Sequence, residues 1–222
     1  MSLLKQVVNQ IRPYMQEHGY QFSRNCFYSI YDNIAYCIGL DMPGGLLYAT
    51  FYVMPLYIPC ENRYYSYGNR LHVLPFSHLA PLHEGTDVLS WCEDFYKELE
   101  KVVFPFFSQI ASPSQLTNLI EKKLYSLMPY FSCPEVQIYR LQMFNYLYCC
   151  NFVMLDRLIP KYRLSVQNST FFSYGVRSRY LQEIEKAEEL VSSGMSGCRE
   201  YCMNRITETL QECFPEYLNC KK

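Results

Sequence analysis

The sequence predicts an α+β protein: an N-terminal helix, an antiparallel four-stranded meander and a covering helix, followed by an all-helical C-terminal half. Three observations carry this. Hydrophobic spacing switches from helical to alternating near residue 20. Helical spacing returns near residue 87, and past residue 112 the strand signal mostly vanishes. The expected division is a sheet domain over residues 1–111 and a helical domain over residues 112–222.

Residues 3 to about 18 place Leu4, Val7, Val8, Ile11 and Met15 on one helical face. Pro13 lies within this helix and is expected to shorten or kink it, and Gly19 supplies its C-terminal cap. Cys26–Tyr31 and Ile34–Ile38 then read as strands rich in aromatic and branched residues. Only Asp32-Asn33 separates them, a two-residue hairpin loop of the kind these side chains permit. After the Pro43-Gly44-Gly45 turn, Leu46 to Tyr57 alternates. Leu47, Ala49, Phe51 and Val53 fall on one face, and Tyr48, Thr50 and Tyr52 on the other. Arg70 to Leu74 is the expected fourth strand. Connections this short require antiparallel pairing.

From Asp87 to Ile110 one stripe joins Val88, Trp91, Cys92, Phe95, Leu99, Val102, Val103, Phe106 and Ile110, with Pro105 predicting a bend. This helix is expected to cover one face of the meander. Ser112-Pro113-Ser114-Gln115 opens the helical half with a serine cap, a proline at the first helical position and a reciprocal glutamine. Ser132-Cys133-Pro134-Glu135 repeats that logic ahead of Val136 to Cys150, which is apolar nearly all round and therefore expected to be buried. Further helices are expected at about 152–162, 177–193 and 198–213, the last two joined through Gly194 and Gly197.

Composition narrows function. Charged residues make up 18% of the 222 and the net charge is −1, so no general field attracts nucleic acid or anionic membrane. Tyrosine, at 22 residues, is expected to complete the outer surface, above all around residues 57–72. The N-terminus lacks the apolar core of a secretory signal, and the most apolar stretch, Met143 to Leu155, is too short to cross a bilayer. A cytosolic setting follows as the expectation, with the 11 cysteines reduced and the Asn168-Ser169-Thr170 sequon without meaning.

Cys198, Cys202, Ile206, Leu210 and Cys213 form an apolar stripe at helical spacing, which favours core packing over metal binding. Their spacing also lacks the paired short loops of structural zinc sites. None of His18, His72, His78 and His83 belongs to a helical metal pair, and no nucleophile elbow, Walker or dinucleotide motif appears. No metal and no cofactor is expected. A Cys/His dyad assembled in space stays open.

Two stretches point to recognition. Residues 57–72 carry Arg63, Tyr64, Tyr65, Tyr67, Arg70 and His72 in a connection longer than a hairpin needs, and Tyr and Arg dominate binding hot spots. Between Arg157 and Arg179 lie five basic residues, Arg157, Lys161, Arg163, Arg177 and Arg179, with aromatics among them and no acid. That mixture suits the phosphates and bases of single-stranded nucleic acid, although the glutamates from Glu183 onward neutralise it. The leading expectation is a non-catalytic protein-binding module using the Tyr/Arg loop, with a protein as partner and neither membrane nor nucleic acid. The alternative is a small-ligand protein or enzyme with a tyrosine-lined pocket between the two halves.

Gly19-Tyr20-Gln21-Phe22-Ser23-Arg24-Asn25-Cys26-Phe27-Tyr28 resembles the opening of the bacterial family known as domain of unknown function 4304. In that family a helix ends in a glycine-aromatic pair and a polar stretch leads into an aromatic strand. The resemblance covers residues 3 to 111. It implies a bacterial cytosolic protein and transfers no catalytic residue.

Overall fold

The computed structural model describes residues 1–60, 67–127, 130, 135–170 and 172–219, with the side chains of 122–127 outside that description. The architecture is α+β. A helix, α1 (Leu3–Glu17), precedes five strands: β1 (Gln21–Ser23), β2 (Cys26–Tyr31), β3 (Ile34–Asp41), β4 (Tyr48–Pro55) and β5 (Gly68–Arg70). They form one antiparallel sheet in sequential order.

The chain groups into two compact units. One comprises Met1–Pro55 with Arg63–Ser132, and the other comprises Leu56–Asn62 with Cys133–Lys222. The short segment after β4 is thus grouped with the helices.

In the sheet unit, α1 runs through Pro13 and buries Leu3, Val7, Val8, Ile11 and Met15. The β2–β3 loop is the expected two-residue turn, since Asp32 and Asn33 both take positive φ. Arg24 and Asn25 do the same between β1 and β2, adding a strand that composition did not signal. The expected strand at Arg70 to Leu74 is replaced by β5, two residues earlier, and a 3-10 turn at Leu71–Val73. Leu71 and Leu74 are both buried while Val73 is exposed, a period of three that suits a tight turn and not a strand.

The sheet register stacks Phe27, Ile38 and Phe51 across one face. That face meets the covering helix. It runs as α2 (Val88–Glu98), a wider π-type segment at Leu99–Val103, and α3 (Phe104–Ser108). Phe51 lies 5.7 Å from Phe106, and Tyr36 donates its phenol to the carbonyl of Ile110. The break falls just ahead of Pro105, whose ring cannot tolerate the normal i−4 carbonyl. Asp87 caps α2 through the Leu89 N–H at 2.9 Å. The opposite sheet face carries Cys26, Tyr28, Cys37, Thr50 and Tyr52, all buried.

α4 (Pro113–Leu127) is started by the expected cap. Ser112 Oγ accepts from the Gln115 N–H at 3.1 Å, while the Gln115 amide oxygen accepts from the Ala111 N–H at 2.8 Å. In the helical unit, α5 (Glu135–Tyr148) is buried on most sides and ends at Cys150, whose φ is +52°. α6 (Phe152–Asn168) and α7 (Tyr174–Cys213) follow, capped by Asn151 and Ser173, and then the short α8 (Pro215–Asn219). α7 is broken at Gly194, where φ is 77° and ψ is −172°, the position expected to separate two helices. No helix among the described residues is long and apolar enough to cross a membrane.

Candidate functional site

Of the Tyr/Arg segment singled out by sequence, Arg63, Tyr64 and Tyr65 lie outside the described residues. Tyr67 is only 4% exposed, and its carbonyl accepts the Val53 N–H at 3.0 Å, which extends the β4–β5 ladder. Arg70 and His72 come together at the edge of the sheet with two residues that sequence reasoning did not select. The register sets Asp41 opposite Tyr48 and Arg70 opposite Thr50, so Asp41, Tyr48 and Arg70 leave the same face.

The resulting cluster is well defined. The guanidinium carbon of Arg70 sits 4.3 Å from the Tyr48 ring centroid, close enough for cation–π attraction. Arg70 Nη2 donates to Asp41 Oδ2 at 2.7 Å, while 37% of the Arg70 side chain remains exposed. The His72 ring lies 4.9 Å from that of Tyr48. Burial, and then the positive charge of Arg70, hold the His72 pKa below its ordinary value of 6.5, outweighing the opposite pull of Asp41. His72 therefore favours its neutral form. The cluster presents a fixed cation beside a flat aromatic surface, with no activated nucleophile among its members.

The five basic residues from Arg157 to Arg179 do not form one cluster. Arg157 and Lys161 are exposed on α6. Arg163 is held by both carboxylate oxygens of Glu188, at 2.8 and 2.7 Å. Arg177 donates to the Ser169 carbonyl at 2.7 Å, closing the C-terminal end of α6, and Arg179 lies over the Tyr180 ring. Of the five, three serve helix ends, helix pairing or ring packing.

A second polar cluster lies inside the helical unit, where composition gave α5 an apolar reading. Arg140 on α5 donates Nε to Glu183 Oε2 at 2.6 Å and Nη2 to Glu183 Oε1 at 2.7 Å, joining α5 to α7. Each of the two side chains is only 10% exposed. Arg140 also donates to the carbonyl of Pro59 at 2.9 Å and lies over the rings of Phe144 and Tyr180. Next to it, Asn145 is fully buried and accepts from the Tyr57 hydroxyl, and the Tyr57 and Tyr148 rings stack 4.4 Å apart. One available sequence signal was a lone arginine in a helix apolar on every side, because a buried cation requires a buried anion.

The thiols at helical spacing are buried as the stripe requires: Cys198, Cys202 and Cys213 lie in the core of the helical unit. Burial, with the neighbouring cysteines, pushes Cys202 up to about 12. On the sheet unit, burial and the charge of Asp87 push Cys92 up to about 11. These two thiols stay protonated at neutral pH, and a protonated thiol is a poor nucleophile.

No family model, no curated protein and no solved structure matches the chain.

Proposed function

We propose that this chain is a non-catalytic protein-binding module whose recognition face is built on Arg70, with Tyr48 and His72 around it. The observation that carries this reading is the stacked, ion-paired and still partly exposed guanidinium of Arg70. An arginine already fixed by Asp41 and the Tyr48 ring loses little side-chain freedom on binding, and that pre-organisation favours affinity. Its partner is a protein surface that offers a carboxylate or carbonyl beside an apolar group. The resemblance of Gly19–Tyr28 to the domain of unknown function 4304 family supports a bacterial cytosolic setting for the same reading.

The test is crosslinked capture from the cells that make the protein, with the wild type run beside Arg70→Ala and Tyr48→Ala. The expected result is a partner held by the wild type and lost by both variants while their melting temperatures stay close to that of the wild type. A retained set identical across all three proteins refutes the reading.

A further inference from the structure

The helical unit holds one short piece of chain, Leu56–Cys60, a turn at Leu56–Tyr57 followed by a bend at Ile58, in the manner of a bound peptide. Leu56, Tyr57 and Ile58 are at most 3% exposed. The segment makes no helix or strand with what surrounds it, so side chains hold it. Tyr57 stacks on Tyr148 and donates to Asn145 at the bottom of its slot. The carbonyl of Pro59 accepts from Arg140, whose charge Glu183 already balances, and the carbonyl of Cys60 faces the Cys213 thiol at 3.9 Å. Main-chain carbonyls are thus read at two successive residues, and one aromatic slot selects the side chain. Peptide-recognition sites divide affinity and specificity in this way.

One group in the slot is left unanswered. Asn145 Nδ2 is buried and has no hydrogen-bond partner among the described residues, although the residue is 0% exposed. The resident tyrosine thus answers only one of the two polar atoms of that amide, the oxygen.

We propose that this cradle is a peptide-binding site for a partner segment of the type Tyr–aliphatic–Pro, taken up in the turned form of the resident, and that Leu56–Cys60 occupies it in cis. The tyrosine fills the Tyr148–Asn145 slot. The proline suits a turn and brings no N–H that would need a partner. Because the resident is tethered, it competes at an effective concentration on the order of millimolar, so a segment arriving in trans binds weakly until the resident is loosened. This site is separate from the Arg70 face, and either proposal can fail without the other.

The test uses the full chain and a fluorescent peptide of residues Pro55–Cys60 carrying Cys60→Ser, followed by anisotropy. Tyr57→Ala empties the slot of its resident, and the expected result is peptide binding at least tenfold tighter than to the wild type. A peptide with phenylalanine in place of its tyrosine is expected to bind that variant several-fold more weakly, because it cannot reach Asn145. Tyr57→Phe removes only the hydroxyl and serves if Tyr57→Ala fails to fold; a few-fold gain over the wild type is expected. No gain over the wild type in the folded variants overturns the proposal. Binding indifferent to the peptide's tyrosine does so too. A Tyr57→Ala protein that dimerises without taking up peptide assigns the cradle to a second copy of the chain and also overturns it.

Discussion

Arg140→Met tests the buried ion pair that joins α5 to α7. The substitution keeps an unbranched apolar stem and removes the guanidinium. Three charge-assisted hydrogen bonds go with it, two to Glu183 and one to the Pro59 carbonyl, along with the placement over Phe144 and Tyr180. The Glu183 carboxylate is left 10% exposed without its cation. Stranding one member of such a pair costs about 3–5 kcal/mol, because the remaining charge has lost the partner that offset its desolvation. For a chain of this length 1 kcal/mol moves the melting temperature by about 2–4 °C, so the expected fall is roughly 6–20 °C.

The double variant Arg140→Met, Glu183→Leu decides the cause. With both charges gone no ion is stranded, and stability is expected to recover to within about 1 kcal/mol of the wild type. The residual loss reflects the unanswered Pro59 carbonyl. Urea unfolding at constant slope reads both numbers, and the coupling between the two sites is expected to exceed about 2 kcal/mol. A loss below about 1 kcal/mol for Arg140→Met would refute the reasoning, as would a double variant no better than the sum of the single ones.

Four further outcomes are expected. A Cβ on Gly68 would stand 1.9 Å from the Phe51 carbonyl oxygen and 2.4 Å from the Tyr52 Cα, so Gly68→Ala must lift β5 off β4. A loss of about 3 kcal/mol is expected, with faster amide exchange at Val53, and unchanged exchange there would show that the strands can accommodate the methyl. Gly194 has no atom within 4 Å of such a Cβ, so Gly194→Ala isolates the backbone. At its φ and ψ the cost is about 1–3 kcal/mol, and a variant as stable as the wild type in urea would contradict it. His72 binds its proton less tightly in the folded than in the unfolded chain, so the unfolded state holds more protons as pH falls past about 6.5. The contribution of His72 to stability is therefore complete above that pH and declines below it. His72→Gln is expected to flatten the acid limb between about pH 7 and 5. In NMR titration Arg70→Gln is expected to raise the His72 pKa; a value that stays put would remove Arg70 as a cause.

Local chemistry made some elements legible and topology hid others. Asp32-Asn33 announces its turn, because both residues tolerate positive φ. Arg24-Asn25 makes the same turn with an arginine in the first position, which carries no such signature, and β1 went unread with it. The Leu71-His72-Val73-Leu74 stretch reads as a strand by composition, yet its buried residues fall three apart. The partners of Arg70 could not be read at all. Asp41 lies 29 residues away, and only the register of β3, β4 and β5 brings the two to one face. Glu183 stands 43 residues from Arg140, but there the arginine's apolar helix called for an acid without saying which.

The shortage of charge has an interior explanation. The expectation that tyrosine completes the outer surface around residues 57–72 fails where the structure describes it: Tyr57 is 0% exposed and Tyr67 4%. Phenols do inside this protein what ion pairs would otherwise do. Tyr28 donates to Gln21, Tyr36 to the Ile110 carbonyl and Tyr57 to Asn145. A phenol brings a large apolar ring and one strong donor, and as a neutral group it avoids most of the desolvation penalty of a buried Lys or Glu. Burial raises the pKa of Tyr20 and Tyr52 still further above the ordinary phenol value of 10.0, since a phenolate in the core would be poorly solvated. Tyrosine thus crosslinks distant segments without a counterion. Arg140 is the exception among the described residues of α5, a full charge that could reach the core only with Glu183 beside it. The same Nη2 that donates to Glu183 also donates to the Pro59 carbonyl, so the buried ion pair of this helix also fixes the chain segment that carries Tyr57.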